Sequence, residues 1–267
     1  MITSMSNPRI KQVIQWQTKA KERHRDKVYV VEGTKMYQEA PESAVRDVYV
    51  SQGCMERFRQ SAGQGKGGLL DKLARTGYEE VTDEVFAKMS DTRTPQGILA
   101  VLEQPEYELN LLLTRENPLF IVLENIQDPG NLGTILRTGE GAGITGVIMS
   151  DSTVDIFNPK VIRSTMGSIF RVPFLYEVNL LKVLDRLHET GIETYAAHLQ
   201  GKVYYDDCSF CGPTAFLIGN EGNGLTKELA AAASSYVKIP MEGMVESLNA
   251  GVAAALLMYE AHRQRFG

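Results

Sequence analysis

Cysteine is scarce in this chain. Only Cys54, Cys208 and Cys211 occur among 267 residues, which excludes a disulfide-stapled scaffold and fits a reducing compartment. Cys208 and Cys211 form a CSFC pair, with His198 nearby and no second CxxC. A structural zinc site takes four ligands, so the pair reads as ordinary thiols and no metal is expected. No run of eighteen apolar residues occurs, so no membrane span is expected. The opening residues, MITSMSNPRIKQ, lack the apolar core of a signal peptide, and the expected location is the cytoplasm. Positive charge is also short: 28 Lys and Arg against 33 Asp and Glu leave a formal net charge of −5. That balance argues against a protein that coats nucleic acid.

What positive charge there is has a local focus. Between Arg9 and Lys27 stand seven Lys or Arg and two acids, and such a patch can hold phosphates even on an acidic protein. Arg9, Lys19, Lys21, Arg23 and Arg25 are its candidate RNA contacts, with a solvated charged face as the alternative. The segment SNPRIKQVIQWQ predicts a helix capped by Asn7, with Pro8 in its first turn. KAKERHRDK is either the exposed end of that helix or the loop after it. Strands are expected at VYVVEG, VRDVYV, near YEEV and at GILAVLEQ, helices at TKMYQEA, MERFRQ, LLDKLAR and EVFAKMS, and a flexible loop at SAGQGKGG. This is a small α/β/α domain over 1–103. A linker, 104–118, with a short helical turn precedes a second domain, 119–267. There the strands FIVLEN, GVIMS, VPFLYE, ETYAAH, TAFLIGN and VKIP alternate with helices, the last beginning at SLNAGVAAALL. That pattern predicts an α/β fold whose parallel sheet is covered on both faces.

The stretch ENIQDPGNLGTILRTGEGAG, 124–143, imitates a dinucleotide fingerprint: a strand leads in, a helix leads out, and Asp151 follows about twenty residues on. The turn itself holds only Gly130 and Gly133, in DPGNLG. Asn131 stands where a side chain would block close approach to a pyrophosphate, and GEGAG falls at the helix end, where glycine is a normal stop. The dinucleotide reading is rejected. Asn131 is expected at or near the helix cap. Gly133, Thr134 and Arg137 share one helix face, which poises Arg137 for a phosphate or carboxylate. Two further segments stand out. LIGNEGNGL, 217–225, has glycines and asparagines suited to a tight wrap around a ligand, with Glu221 its only charge. IPMEGMVESLNAG, 239–251, brings Ser247 and Asn249 to the start of an apolar helix, whose free N–H groups can orient polar ligand atoms.

Together Asn131, Gly133 and Arg137, then IGNEGNGL, then IPMEGMVESLNAGVAAALLMYE resemble the three motifs of the SpoU/TrmH family. These are S-adenosylmethionine-dependent RNA ribose 2′-O-methyltransferases of the SPOUT superfamily. The resemblance spans 119 to about 262 and includes NPKVIRSTMGSIFRVPF. Residues 4–103, with SNPRIK and the VVEG strand, resemble the substrate-binding domain often fused in front. The resemblance implies a deep trefoil knot, a homodimer with the active site completed across its interface, and a cofactor held by backbone from three loops. Carried over by position, the cofactor contacts are Leu199, Gly201, Ile218, Gly219, Asn220, Gly222, Ile239, Pro240, Met241, Ser247, Leu248 and Asn249. The catalytic set is Asn131, Arg137, Glu221, Ser247 and Asn249, with Glu221 anchoring Arg137 or the substrate loop. Arg163 and Arg171, beside the second helix of this domain, are further candidate RNA contacts. Ribosomal RNA is favoured over transfer RNA by analogy with the fused domain. Base methylation and a non-catalytic RNA-binding or ribosome-assembly role remain the alternatives.

Overall fold

A computed structural model describes residues 1–62 and 68–267. The glycine-rich loop expected at 61–68 falls largely on 63–67, outside the described residues. The chain divides into two compact units, Met1–Glu106 with Phe157–Phe170, and Tyr107–Ile156 with Arg171–Gly267.

The first unit begins with helix α1 (Pro8–Thr18), where the Asn7 side chain accepts from the Arg9 amide and Pro8 occupies the first turn. The basic stretch after it forms a separate short helix, α2 (Ala20–Asp26), which ends on Lys27 in a left-handed conformation. There follow β1 (Val28–Glu32), α3 (Thr34–Glu39), β2 (Val45–Ser51), α4 (Gln52–Ala62), α5 (Gly68–Thr76), β3 (Glu79–Val81), α6 (Asp83–Met89) and β4 (Ile98–Glu103). The sheet order is β1-β4-β2-β3, with β4 antiparallel to both neighbours and β3 parallel to β2. Ile10, Val13, Trp16, Phe86 and Met89 are buried against Val28, Val30, Leu99 and Val101. Each such side chain contributes about 1.5–3 kcal/mol by leaving water.

The second unit holds α7 (Leu109–Leu113), β5 (Leu119–Leu123), α8 (Pro129–Ala142) and β6 (Gly146–Ser150). Helix α9 (Pro159–Thr165) belongs to the first unit, where Phe157 just before it stacks against Tyr29 with ring centroids 4.9 Å apart. The second unit resumes with β7 (Phe174–Glu177), α10 (Leu180–Glu189), β8 (Glu193–Ala197), β9 (Val203–Tyr204), β10 (Thr214–Ile218), α11 (Lys227–Ala232), β11 (Ser235–Lys238) and α12 (Ala250–Phe266). All seven strands are parallel, in the order β7-β6-β5-β10-β8-β11-β9. The strands β5, β6 and β10 are buried along their whole length, as a sheet covered on both faces requires. Strand β9 is an addition to the expected set: its two residues are exposed and carry no apolar run.

The chain lays β6 and β7 to one side of β5, then places β10 on the other side. Strand order therefore reverses between β5 and β10, and ligands of open parallel sheets bind at the carboxyl ends beside such a reversal. The far end of α12 is tied down by Arg265, which donates to the carbonyls of Phe210 (2.8 Å), Asn117 (2.9 Å) and Gly212 (2.5 Å). Among the described residues no helix is long and apolar enough to cross a membrane.

Candidate functional site

Three loops leave the carboxyl ends of the adjacent strands β10, β8 and β11. Leu199 and Gly201 lie on the loop after β8, where the Gly201 amide donates to the His198 carbonyl (2.9 Å). Ile218 ends β10 and is buried, while Gly219, Asn220 and Gly222 continue into the next loop. Ile239, Pro240 and Met241 follow β11 directly, and Ser247, Leu248 and Asn249 lead into α12. The topology thus gathers all three segments at one end of the sheet. Gly219 is required there by close approach: a Cβ on it would lie 2.1 Å from the Gly224 carbonyl carbon. Of the glycines in this loop only Gly224 takes a positive φ, +69°.

A hydrogen-bond network joins two of these loops to α8. The Asn131 side-chain amide donates to Glu221 Oε1 (2.9 Å), and the Asn249 amide donates to Asn131 Oδ1 (2.8 Å). Asn249 Oδ1 in turn accepts from the Gly251 and Val252 amides, capping α12. Glu221 also accepts from the backbone amides of Asp128 (3.0 Å) and Gln127 (3.1 Å). Burial works to raise the Glu221 pKa, but the hydrogen bonds from Asn131, Asp128 and Gln127 outweigh it and hold the carboxyl below its ordinary range. At neutral pH Glu221 is therefore an anion with its lone pairs engaged. It anchors the turn before α8 and, among the described residues, makes no ion pair with Arg137.

Arg137 is exposed on α8 and, among the described residues, makes no hydrogen bond or ion pair. It stands about 9 Å further along the helix axis than Asn131, at 1.5 Å per residue. It shares its side of α8 with Thr134, whose methyl and Cβ approach Gly251 at the start of α12.

Asn131 is near the helix cap, as expected, but is not the cap itself, and other sequence expectations are corrected. The cap of α8 is Asp128, whose Oδ1 accepts from the Asn131 amide (2.9 Å), with Pro129 in the first turn. Asn131 therefore lies inside the first turn, buried, with its side chain turned toward Glu221. Helix α12 starts at Ala250, not Ser247. Ser247 is exposed and makes no hydrogen bond among the described residues. Arg23 does not face solvent: it is 3% exposed and donates to the Trp16 and Gln17 carbonyls (2.7 and 3.3 Å). Its guanidinium ends α1 instead of meeting RNA, a use that the charge count along the sequence conceals.

The other basic candidates differ in availability. Arg9 pairs with Glu79 (2.6 Å), Arg25 with Glu22 (2.7 Å) and Asp26 (2.8 Å), Arg163 with Asp91 (2.6 Å), and Arg171 with Glu140. Lys19 and Lys21 are exposed, with no ion pair among the described residues. The Cys208 thiol donates to the Tyr204 carbonyl and that of Cys211 to the Gln264 carbonyl.

Three supporting residues were missed in the sequence. Buried Glu124 accepts from the amide and hydroxyl of Thr226 (2.7 and 2.8 Å), fixing the loop after β10 to the end of β5. Asn125, at φ +57°, accepts through its carbonyl from the Asn220 side chain (2.8 Å). Asp128 was findable, because an Asp directly before Pro marks a helix start. Glu124 and Asn125 follow an apolar strand with no local signal for contacts about a hundred positions away.

Comparison with known proteins places this architecture. The model of the SpoU rRNA Methylase family matches residues 118–259, and that of the MRM3-like substrate binding domain matches 7–100. The 23S rRNA (guanosine(2553)-2′-O)-methyltransferase RlmP of Bacillus subtilis is 33% identical over 97% of this chain and 97% of its own. The 23S rRNA (uridine(2479)-2′-O)-methyltransferase of Streptomyces viridochromogenes is 32% identical over 73% of each. Among solved structures, the AdoMet-bound rRNA methyltransferase from Sinorhizobium meliloti superposes with a TM-score of 0.84 at 28% identity, covering 100% of this chain and 98% of that one. The SpoU methyltransferase AviRb from Streptomyces viridochromogenes, in complex with AdoMet, gives 0.83 at 26% identity, covering 98% and 99%. The chain belongs to the SpoU rRNA methylase family and, with it, to the knotted SPOUT fold that the motif resemblance implied.

Proposed function

We propose that this protein transfers a methyl group from S-adenosylmethionine to a ribose 2′-hydroxyl of ribosomal RNA, in the cytoplasm. The single observation that carries the reading is the Asn131–Glu221–Asn249 network, which binds the loops after β10 and β11 to the helix that carries Arg137. The names of two relatives, one matched over nearly its full length and one over 73% of each chain, support rRNA over tRNA as the substrate.

The cradle suits the cofactor. Segments 217–225 and 239–251 hold no Lys or Arg, so they do not call for a phosphate-bearing ligand. They offer loop backbone beside the apolar side chains of Ile218, Ile239, Met241 and Leu248. When bound, S-adenosylmethionine supplies a methyl on a positively charged sulfur, already a strong electrophile. The work left to the chain is to aim the hydroxyl and to favour loss of its proton. A C–O bond forms as a C–S bond breaks, and the hydroxyl proton leaves to solvent. Arg137 is a poor general base, because a guanidinium carries only N–H donors and holds its proton. It binds the substrate phosphate and stabilises alkoxide charge as it develops. Glu221 positions Asn131, and Asn131 and Asn249 hold the loop ends in register. Ser247, with its hydroxyl uncommitted, is available to the ribose or the cofactor.

The protein works as a homodimer in this reading. Val252, Leu256 and Tyr259 form an exposed stripe on α12, 47%, 36% and 49% accessible, beside a groove of about 430 Å3 that includes Thr134. A second copy seated there would lie next to Arg137, which accounts for an unpaired arginine displaced along α8 from the Asn131 network.

The test is methyl transfer by the purified protein from labelled S-adenosylmethionine to rRNA. The expected product is a single dinucleotide that survives alkaline hydrolysis, because a methylated 2′-oxygen cannot attack the adjacent phosphate. Label recovered on a base would contradict the proposal.

A further inference from the structure

A second groove, in the first unit, takes no part in the methyl-transfer site. It measures about 620 Å3, and its lining includes Arg9, Trp16, Asp26, Arg46, Asp47 and Tyr49. That volume is within the range of sites for small ligands. Trp16 is 5% exposed and donates through Nε1 to Asp26 Oδ2 (2.8 Å), while Gln12 donates to the same oxygen (3.1 Å). Arg25 forks onto both carboxylate oxygens, Oδ1 (2.8 Å) and Oδ2 (3.0 Å). The Arg25 hydrogen bonds, and after them that of Trp16, hold the Asp26 carboxyl down at about 2. Asp26 is thus a saturated anion that braces the wall.

The remaining groups are differently placed. The Arg46 guanidinium carbon lies over the Trp16 ring at 5.4 Å from its centroid, while the side chain stays half exposed. Asp47 comes no closer than 3.8 Å to Arg46 and makes no side-chain hydrogen bond among the described residues. Tyr49 is 1% exposed, and its hydroxyl has no partner among the described residues. Arg9 is drawn aside by Glu79 (2.6 Å). Two arginines and two aspartates give the lining no net charge, which suits a neutral planar group better than a phosphate.

We propose that this groove seats an unpaired guanine base of the RNA, stacked on the Arg46 guanidinium and read by Asp47. Guanine alone among the four bases presents two adjacent N–H donors, N1 and N2, to a carboxylate, together with an O6 acceptor for Tyr49 or arginine. Stacking of unpaired bases on aromatic and guanidinium planes, with their edges read by side chains, is the usual mode of sequence-specific RNA recognition. The inference rests on the reading of this protein as one that acts on RNA, and it adds a base preference in the first unit that methyl transfer itself does not demand.

Trp16 is the chain's only tryptophan, so its fluorescence reports on this groove alone. The full-length protein is titrated with an unstructured RNA octamer of adenosines, and with the same octamer carrying one central guanosine. The expected result is a change in Trp16 emission and binding about tenfold or more tighter for the guanosine octamer. Asp47→Asn should erase the preference and, with rRNA as substrate, raise KM while leaving kcat unchanged. Arg46→Lys keeps the charge, loses the planar stack, and should weaken both octamers. Equal binding of the two octamers, or a preference that survives in folded Asp47→Asn, overturns the proposal. Discrimination between octamers by a protein that methylates no RNA would remove the functional reading and leave the groove. Methylation of rRNA without discrimination would do the reverse.

Discussion

Arg137→Ala is expected to lower methyl transfer to rRNA at least about a hundredfold, the usual cost of removing a group that stabilises developing oxyanion charge. Cofactor affinity should change little, because Arg137 is exposed and apart from the Asn131–Glu221–Asn249 network. Single-turnover rates on rRNA and an equilibrium titration with S-adenosylmethionine separate the two effects. Arg137→Lys should recover only part of the rate, since an ammonium keeps the charge but not the planar fork that matches a phosphate. Folding should be unaffected, as the side chain has no partner among the described residues to lose. A variant with near-normal turnover would remove Arg137 from the chemistry and return it to the role of a solvated surface cation.

The second large effect belongs to Glu221. Glu221→Ala leaves the Asn131 side chain and the amides of Gln127 and Asp128 without their acceptor. The expected loss is on the order of 2 kcal/mol in stability, with weaker cofactor binding and a larger fall in kcat. Glu221→Gln keeps one acceptor oxygen but turns an amide NH2 toward N–H donors, so it should sit between alanine and wild type. The pH dependence follows from the sign of the shift. The folded carboxyl lies below its ordinary range, so its contribution is complete above the unfolded carboxylate range and is lost only as pH falls through the lowered folded value. Wild-type activity should therefore show no step from Glu221 near neutrality. Thermal unfolding and pH–rate profiles of both variants check this. An unchanged melting temperature in Glu221→Ala would show that the network does not hold the loops.

The periodic parts of the fold were legible because their signals are local. The alternation of apolar strands and amphipathic helices gave the parallel sheet, and Asn7 with Pro8 marked the start of α1. Arg137 was visible as a charge on a face of small residues. The relation of Asn131 to Glu221 and Asn249 came from motif resemblance, since the three residues are separated by 90 and 118 positions. Nothing local announces a bond over that distance. The errors have one physical origin: a polar residue has several possible partners, and sequence order does not choose among them. Asp128 and Asn131 compete for the cap of α8, and the directly preceding Asp before Pro129 takes it. Ser247 and Asn249 compete for α12, and Asn249 takes it while also bonding Asn131. Arg23 has the composition of a surface cation, yet the kink between α1 and α2 leaves carbonyls that need a donor, and its long side chain supplies it.

The central claim is that the methyl reaches a ribose 2′-oxygen of ribosomal RNA. Alkaline-hydrolysis mapping of total rRNA from cells with and without the gene tests it most directly. The account predicts one position protected from cleavage in the presence of the gene, unprotected in its absence, and restored by the wild-type protein but not by Arg137→Ala. An identical pattern of protected positions in both strains, or a methyl that disappears from a base instead, would contradict it.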